Sequence, residues 1–363
     1  MKLASVEVVP YALPFREPYV TARGTLARRE MVLLRVSDEE GFVGLGEAVP
    51  LSLRGGVTLR QVAGELEGLG EEVGYESAVA LGLSPPARCA VETALMDLRG
   101  RRIAAEHGTH AESGDPIPCN ATLVAGAPRD VAAEAERWAE DGFTTFKLKL
   151  GAESAKTGDI GGVSQTRRGD VEQVRAVREA VGPEARIRVD ANEAWDVETA
   201  KRMFDQLEPL GIELAEQPVA GLEAMAELAE STSIPLAADE SVASLAEAER
   251  AAALGACAYT GIKLSKVGGP EAALAIADVI PAYVTSALDG PVGIAAAAEV
   301  AQSLAGTDRP ERLELAHGLA TQRLFATTIA AVECELRDGM LHLPPGPGLG
   351  IEIDEEALQA HRL

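Results

Sequence analysis

Apolar and polar positions follow two different rhythms along this 363-residue chain. Up to about residue 50 the pattern is that of strands. Val6, Val8 and Tyr11 lie near alternating positions, and Met31-Val32-Leu33-Leu34-Arg35-Val36 forms a second apolar run. Asp38-Glu39-Glu40-Gly41 supplies a turn into Phe42–Ala48, its hairpin partner. Between them Arg16–Arg29, with Pro18, Gly24 and four arginines, reads as a mobile loop. Helical spacing follows over 59–69 and 86–105, and Glu112–Pro116 reads as a linker.

From Ile117 the rhythm becomes short apolar strand, loop, helix, repeated. Strands are expected at 117–123, 144–150, 186–191, 212–217, 235–240, 259–264, 280–286 and 312–317, with helices at 130–141, 171–181, 197–207 and 222–230 among those between them. Strands that alternate with helices are parallel and connect by right-handed crossovers, and eight of them close into a barrel. The polar stretch 152–170 breaks the rhythm and is expected to be a loop at the barrel mouth.

Charge narrows the function. Lys plus Arg is 33 against 57 for Asp plus Glu, a net charge of −24. Such a surface repels nucleic acid and anionic lipid, so neither is an expected partner. A small-molecule anion would need local positive charge, from a metal or from placed Lys and Arg. The four cysteines (Cys89, Cys119, Cys257, Cys334) are scattered and form no CxxC pair, as in a reduced, cytoplasmic protein. No window is apolar enough to span a bilayer, and residues 1–14 hold no long apolar leader segment.

The charged residues inside the barrel rhythm fall at strand ends. Lys147 and Lys149 end the second strand, Asp190 the third, Glu216 the fourth, Asp239-Glu240 the fifth and Lys263 the sixth. Asp190, Glu216, Asp239 and Lys263 are spaced by 26, 23 and 24 residues, each about one βα unit. Taken singly, a strand-end Asp caps a loop and a Lys pairs with a neighbour. Repetition at successive C-terminal strand ends, where barrel active sites form, makes the set functional. Three oxygen donors suit a hard cation that keeps positions open for substrate: Mg²⁺, with Mn²⁺ as the alternative. That charge would stabilise the anion left when a weakly acidic proton α to a carboxylate is removed. Lys149 and Lys263 are then the acid/base candidates on opposite faces of the substrate. The five histidines (His107, His110, His317, His342, His361) show no metal-binding spacing, and only His317 is expected near the mouth.

These motifs resemble the enolase superfamily, in its muconate-lactonizing-enzyme subgroup. The resemblance lies in Lys147-Leu148-Lys149, Asp190-Ala191-Asn192, Glu216-Gln217-Pro218, Asp239-Glu240-Ser241 and Lys263-Leu264-Ser265-Lys266-Val267-Gly268-Gly269, and reaches Gly44-Leu45-Gly46-Glu47-Ala48. It implies an α/β protein: a (β/α)7β barrel over 117–317, with an α+β capping domain built from 1–116 and completed by 318–363. It implies Asp190, Glu216 and Asp239 as metal ligands and Lys149 and Lys263 as catalytic groups supported by Lys147. Asn192, Glu240 and Lys266 would stand behind them. Within the subgroup, Ser286-Ala287-Leu288-Asp289 with Ala316-His317-Gly318 is similar to the o-succinylbenzoate synthases of menaquinone biosynthesis, although Pro291 stands where that family often has serine. Arg23, Arg54, Ser286 and Asp289 are the candidate substrate contacts. The implied reaction is a Mg²⁺-dependent dehydration through an enediolate. A dipeptide epimerase or N-acylamino acid racemase, a muconate cycloisomerase and a non-catalytic metal-binding barrel are the alternatives. A homo-oligomer is expected.

Overall fold

The computed structural model describes residues 3–21, 24–50, 56–69, 82–108, 114–124, 126–151, 163–305 and 315–363, with 20, 21, 24 and 163–168 in backbone alone. Strand β1 (Leu3–Thr21) pairs antiparallel with β2 (Gly24–Asp38) out to Thr21↔Gly24, with a register shift between Pro14 and Tyr19. Residues 16–21 and 24–29, expected as parts of a loop, are therefore paired strands; 22 and 23 lie outside the described residues. Ring stacking supports this end of β1: Phe15 lies 5.4 Å from Tyr19 and 5.1 Å from Phe325. Strand β3 (Val43–Ala48) completes a three-stranded sheet.

Helix α1 (Leu59–Glu67) opens on a reciprocal cap between Thr58 and Gln61. Helix α2 (Pro85–His107) lies directly on β3. Gly44 and Gly46 permit that approach: a Cβ would stand 2.1 Å from Ala94 O at the first and 1.9 Å from Ala90 O at the second. Val32, Leu34, Ala48, Leu66, Ala90, Val91 and Leu98 fill this separate core.

The barrel begins after β4 (Ile117–Pro118) with β5 (Ala121–Leu123), then α3 (Pro128–Glu140), β6 (Thr145–Lys149), α4 (Val163–Val181), β7 (Arg186–Asp190), α5 (Val197–Leu207) and β8 (Ile212–Glu216). It continues through α6 (Leu222–Ala229), β9 (Leu236–Ala238), α7 (Leu245–Leu254), β10 (Tyr259–Ile262), α8 (Leu264–Val267), α9 (Pro270–Val279), β11 (Ala282–Val284) and α10 (Pro291–Ala305). Strands β5 to β11 form one parallel sheet in chain order. Bridges from His317 to Cys119 and from Gly318 to Thr285 set an eighth segment between the last strand and the first, which curls the sheet into a barrel. Of the strand expected at 312–317, residues 312–314 lie outside the described residues. The polar stretch expected to be a loop is helical from residue 163, and 152–162 lie outside the described residues.

Four short strands and a helix follow: β12 (Ala330–Val332), β13 (Glu335–Arg337), β14 (Met340–His342), β15 (Glu352–Ile353) and α11 (Glu355–His361). Strand β14 takes β4 as its antiparallel partner, so the expected first barrel strand is split in two. This segment lies against β1: Tyr11 bridges Arg362, Phe15 bridges Phe325, and Leu363 N donates to Pro10 O at 3.0 Å. All four cysteines are free. Among the described residues no helix is long and apolar enough to cross a membrane.

Candidate active site

Strand alternation turns Lys147, Lys149, Arg188, Asp190, Leu214 and Glu216 to the barrel interior. Register then aligns the last of them, since Lys149 pairs with Asp190 and Asp190 with Glu216 across neighbouring strands. Asp239 follows β9 by one residue and Lys263 follows β10 by one. Asp190, Glu216 and Asp239 are completely buried.

Four ammonium groups meet these three carboxylates. Lys147 Nζ donates to both oxygens of Glu216, at 2.5 and 2.6 Å, and lies 3.0 Å from Asp190 Oδ2. Lys149 donates to Asp190 and, at 3.1 Å, to Asn192 Oδ1, while Asn192 Nδ2 donates to Glu240 Oε1 at 3.0 Å. Lys263 donates to Asp239 Oδ2, and Lys266 to Asp239 Oδ1 at 2.8 Å. Lys149 and Lys263 reach the cluster from β6 and from just after β10, the strands that flank β7–β9. They are also the two most solvent-open of the four, at 25% and 16% side-chain exposure against 7% for Lys147.

Charge decides who holds protons here. Burial pushes the Asp190 carboxyl up, but Lys147 and Lys149 outweigh it and hold it well below the carboxylate range. Burial and Asp190 raise Glu216 despite Lys147. Burial lowers Lys147 and Lys149, yet Asp190 reverses the sign, and both ammonium groups are held above their ordinary value. For Lys266 burial wins over Asp239 and the pKa falls.

The backbone after two of these strands is strained. Asn192 has φ 46° and Gln217 φ 37°, a left-handed region that non-glycine residues avoid. Gln217 is held there by its side chain, which accepts from Asp239 N (3.0 Å) and Ser241 N (3.1 Å) and donates to Ser241 Oγ (2.7 Å). It thereby fixes the turn that carries Asp239. Its position beside Glu216 in the motif is the only signal of this in the sequence. Tyr283, whose hydroxyl donates to Glu216 Oε2 at 2.5 Å, escaped sequence reasoning. The clue available was one polar aromatic inside the apolar run of the seventh strand.

The remaining candidates are placed differently. Ser286 and Asp289 bind each other: Ser286 Oγ donates to Asp289 Oδ2 at 2.7 Å, and Asp289 N to Ser286 Oγ at 2.9 Å. Their polar groups are largely engaged within the turn. Arg23 and Arg54 lie outside the described residues. His317, expected near the mouth, is a buried closure residue whose Nδ1 accepts from Val284 N at 3.0 Å; burial, then Arg188, lowers its pKa to about 3. Helix α2 grips the turn after Lys266. Arg88 donates to Val267 O (2.6 Å) and Gly268 O (2.9 Å), and Cβ atoms on Gly268 or Gly269 would collide with Arg88 or Glu92. An open cleft of about 1000 Å³ elsewhere, bordered by Arg16, Phe143 and Arg323, includes none of the strand-end carboxylates or lysines.

Among the described residues no three His, Cys, Asp or Glu side chains converge to ligate one ion as they stand. The donor set nevertheless fits a hard divalent cation. It offers three buried carboxylates at the ends of three neighbouring strands, all oxygen donors, with their charge balanced by ammonium groups that a cation would displace.

Both parts of the chain match known families. Residues 3–106 match the mandelate racemase / muconate lactonizing enzyme N-terminal domain, and 130–357 match the enolase C-terminal domain-like family. The chain is 39% identical over 224 residues to the o-succinylbenzoate synthase of Thermobifida fusca (strain YX), covering 61% of this chain and 65% of that protein. It is 28% identical over 387 residues to muconate cycloisomerase 1 of Acinetobacter baylyi, covering 99% of both. The dipeptide epimerase of Enterococcus faecalis V583, solved with Mg and the dipeptide L-Leu-L-Tyr, superposes with a TM-score of 0.83 at 26% identity, covering 97% of this chain and all of that one. With both domains matched and the barrel carrying its charged groups at successive strand ends, the chain belongs to the enolase superfamily, in its muconate-lactonizing-enzyme subgroup of lyases and isomerases, and is an enzyme.

Proposed function

We propose that this enzyme removes the proton α to a substrate carboxylate, and that it dehydrates 2-succinyl-6-hydroxy-2,4-cyclohexadiene-1-carboxylate to o-succinylbenzoate. The observation that carries the proton abstraction is the row of buried carboxylates at the ends of β7–β9, flanked by Lys149 and Lys263. Asp190, Glu216 and Asp239 would hold Mg²⁺ or Mn²⁺, which when bound supplies the positive charge that offsets charge developing on the substrate carboxylate. Once a cation offsets the charge of Asp190, Lys149 would lose the pull that keeps it protonated, and the positive charge of Lys147 lowers its pKa further. As the free amine, oriented by Asn192, it takes the α-proton. The hydroxyl leaves with a proton as water, and the ring becomes aromatic. Lys263 lends its positive charge to the ring, and Lys266 holds Asp239 from behind. The synthase reading is supported by the T. fusca relative and by the Ser286–Asp289 turn.

A second reading, epimerisation of a dipeptide or N-acylamino acid, is favoured by the approach of two lysines from opposite flanks. Each would then serve one face of the α-carbon. The test is turnover of the cyclohexadiene carboxylate against a panel of dipeptides and N-succinylamino acids, with wild type, Lys149→Ala and Lys263→Ala. The lyase reading expects both variants to fall at least ~10²-fold on the cyclohexadiene. Complementary deuterium exchange, one enantiomer per variant, on an amino-acid derivative would overturn the lyase reading in favour of the epimerase.

A further inference from the structure

We propose that Tyr283 is a positioning residue for Glu216, aiming that carboxylate at the cation from inside the barrel. The proposal rests on the reading of Glu216 as a ligand. In sheet order β9 and β10 separate β8 from β11, so the hydrogen bond from Tyr283 to Glu216 Oε2 crosses the barrel interior. The space for it is made by small inward residues, Ala237 on β9 and Gly261 on β10. A Cβ on Gly261 would come within 3.3 Å of the hydroxyl and 3.4 Å of the ring. Leu214, Ala237, Tyr283 and Leu315 form a small apolar cluster of their own there.

The ring is in turn held by Arg188, whose guanidinium carbon lies 5.0 Å from its centroid. Arg188 is completely buried and donates to Glu213 Oε2 at 2.5 Å and Ala316 O at 2.7 Å. The result is a chain from Arg188 through Tyr283 to Glu216, in which each member fixes the next. A carboxylate held by one ammonium alone can rotate; a hydroxyl on a rigid ring fixes one of its oxygens. Removing a hydrogen-bond partner behind a metal ligand typically costs ~10–100-fold in metal affinity.

The experiment is calorimetric titration of Mg²⁺ into metal-free full-length wild type, Tyr283→Phe and Glu216→Gln, with thermal unfolding of each metal-free protein. Tyr283→Phe keeps the ring and loses only the hydroxyl. We expect its Mg²⁺ affinity to fall by about tenfold or more while its metal-free melting temperature stays close to wild type, a combination that simple core filling does not produce. Wild-type affinity in Tyr283→Phe, with Glu216→Gln weakened, would overturn the inference and leave the ligand reading standing. Wild-type affinity in Glu216→Gln would overturn the ligand reading itself. If Tyr283→Phe does not fold, Gly261→Ala, which crowds the same hydroxyl, carries the test: unchanged Mg²⁺ affinity there overturns the inference.

Discussion

Glutamine at position 47 should remove a pH-dependent weakness at the seam between β3 and the turn that follows the seventh barrel strand. Glu47 is 1% exposed, accepts from Tyr11 Oη at 2.8 Å and from Gly290 N at 2.6 Å, and faces Asp289. Arg29 and Tyr11 are the other ionisable groups near it. Burial, then Asp289, pushes the carboxyl from 4.5 up to about 7, against the smaller opposing pull of Tyr11, Gly290 and Gly293. The folded state thus holds this proton more tightly than the unfolded chain. Its stabilising share is complete below pH 4.5 and is lost as pH rises to about 7, at about 1.4 kcal/mol per pH unit. Between pH 5.5 and 8.5 the loss comes to about 2 kcal/mol. In Glu47→Gln the amide oxygen keeps the Gly290 bond, and the Tyr11 hydroxyl hydrogen can turn to Met31 Sδ, 3.8 Å away. Glu92, also raised to about 7, is present in both proteins and cancels. The assay is urea unfolding of both proteins at the two pH values. We expect the variant to gain about 2 kcal/mol on wild type from the lower pH to the higher; parallel pH dependence of the two would refute the argument.

Activity should vanish on chelation with EDTA and return with Mg²⁺ or Mn²⁺; full turnover in metal-free buffer would end the metal reading. Gly46→Ala should destabilise the β3–α2 seam by at least ~1–3 kcal/mol, because its Cβ meets backbone rather than a movable side chain. Chemical denaturation measures this, and a change under ~0.5 kcal/mol, as at an ordinary surface site, would show that the helix can retreat.

The strand-end chemistry was legible because a charged residue closing an apolar run, repeated at βα spacing, has one common explanation. What stayed hidden depends on residues distant in the chain. The outer part of the β1–β2 pair carries Pro18 and several arginines, a loop composition; the Phe325 ring stacked on Phe15 comes from beyond the barrel. The split of the first barrel strand needs β14 as a partner. Tyr283 meets Glu216 only once the sheet curls. The Gly268-Gly269 pair was visible as a motif, but its physical reason is the close approach of Arg88 and Glu92 from α2.

The attachment of residues 362 and 363 to β1 bears on how the protein is made. Tyr11 pairs with Arg362, and Pro10 receives a hydrogen bond from Leu363, so β1 gains these partners only when residues 362 and 363 have been translated. Through the whole synthesis of the barrel, part of an apolar edge waits, and such edges recruit other chains. Recombinant yield should therefore depend on elongation rate and chaperone supply more than the stability of the finished fold would suggest.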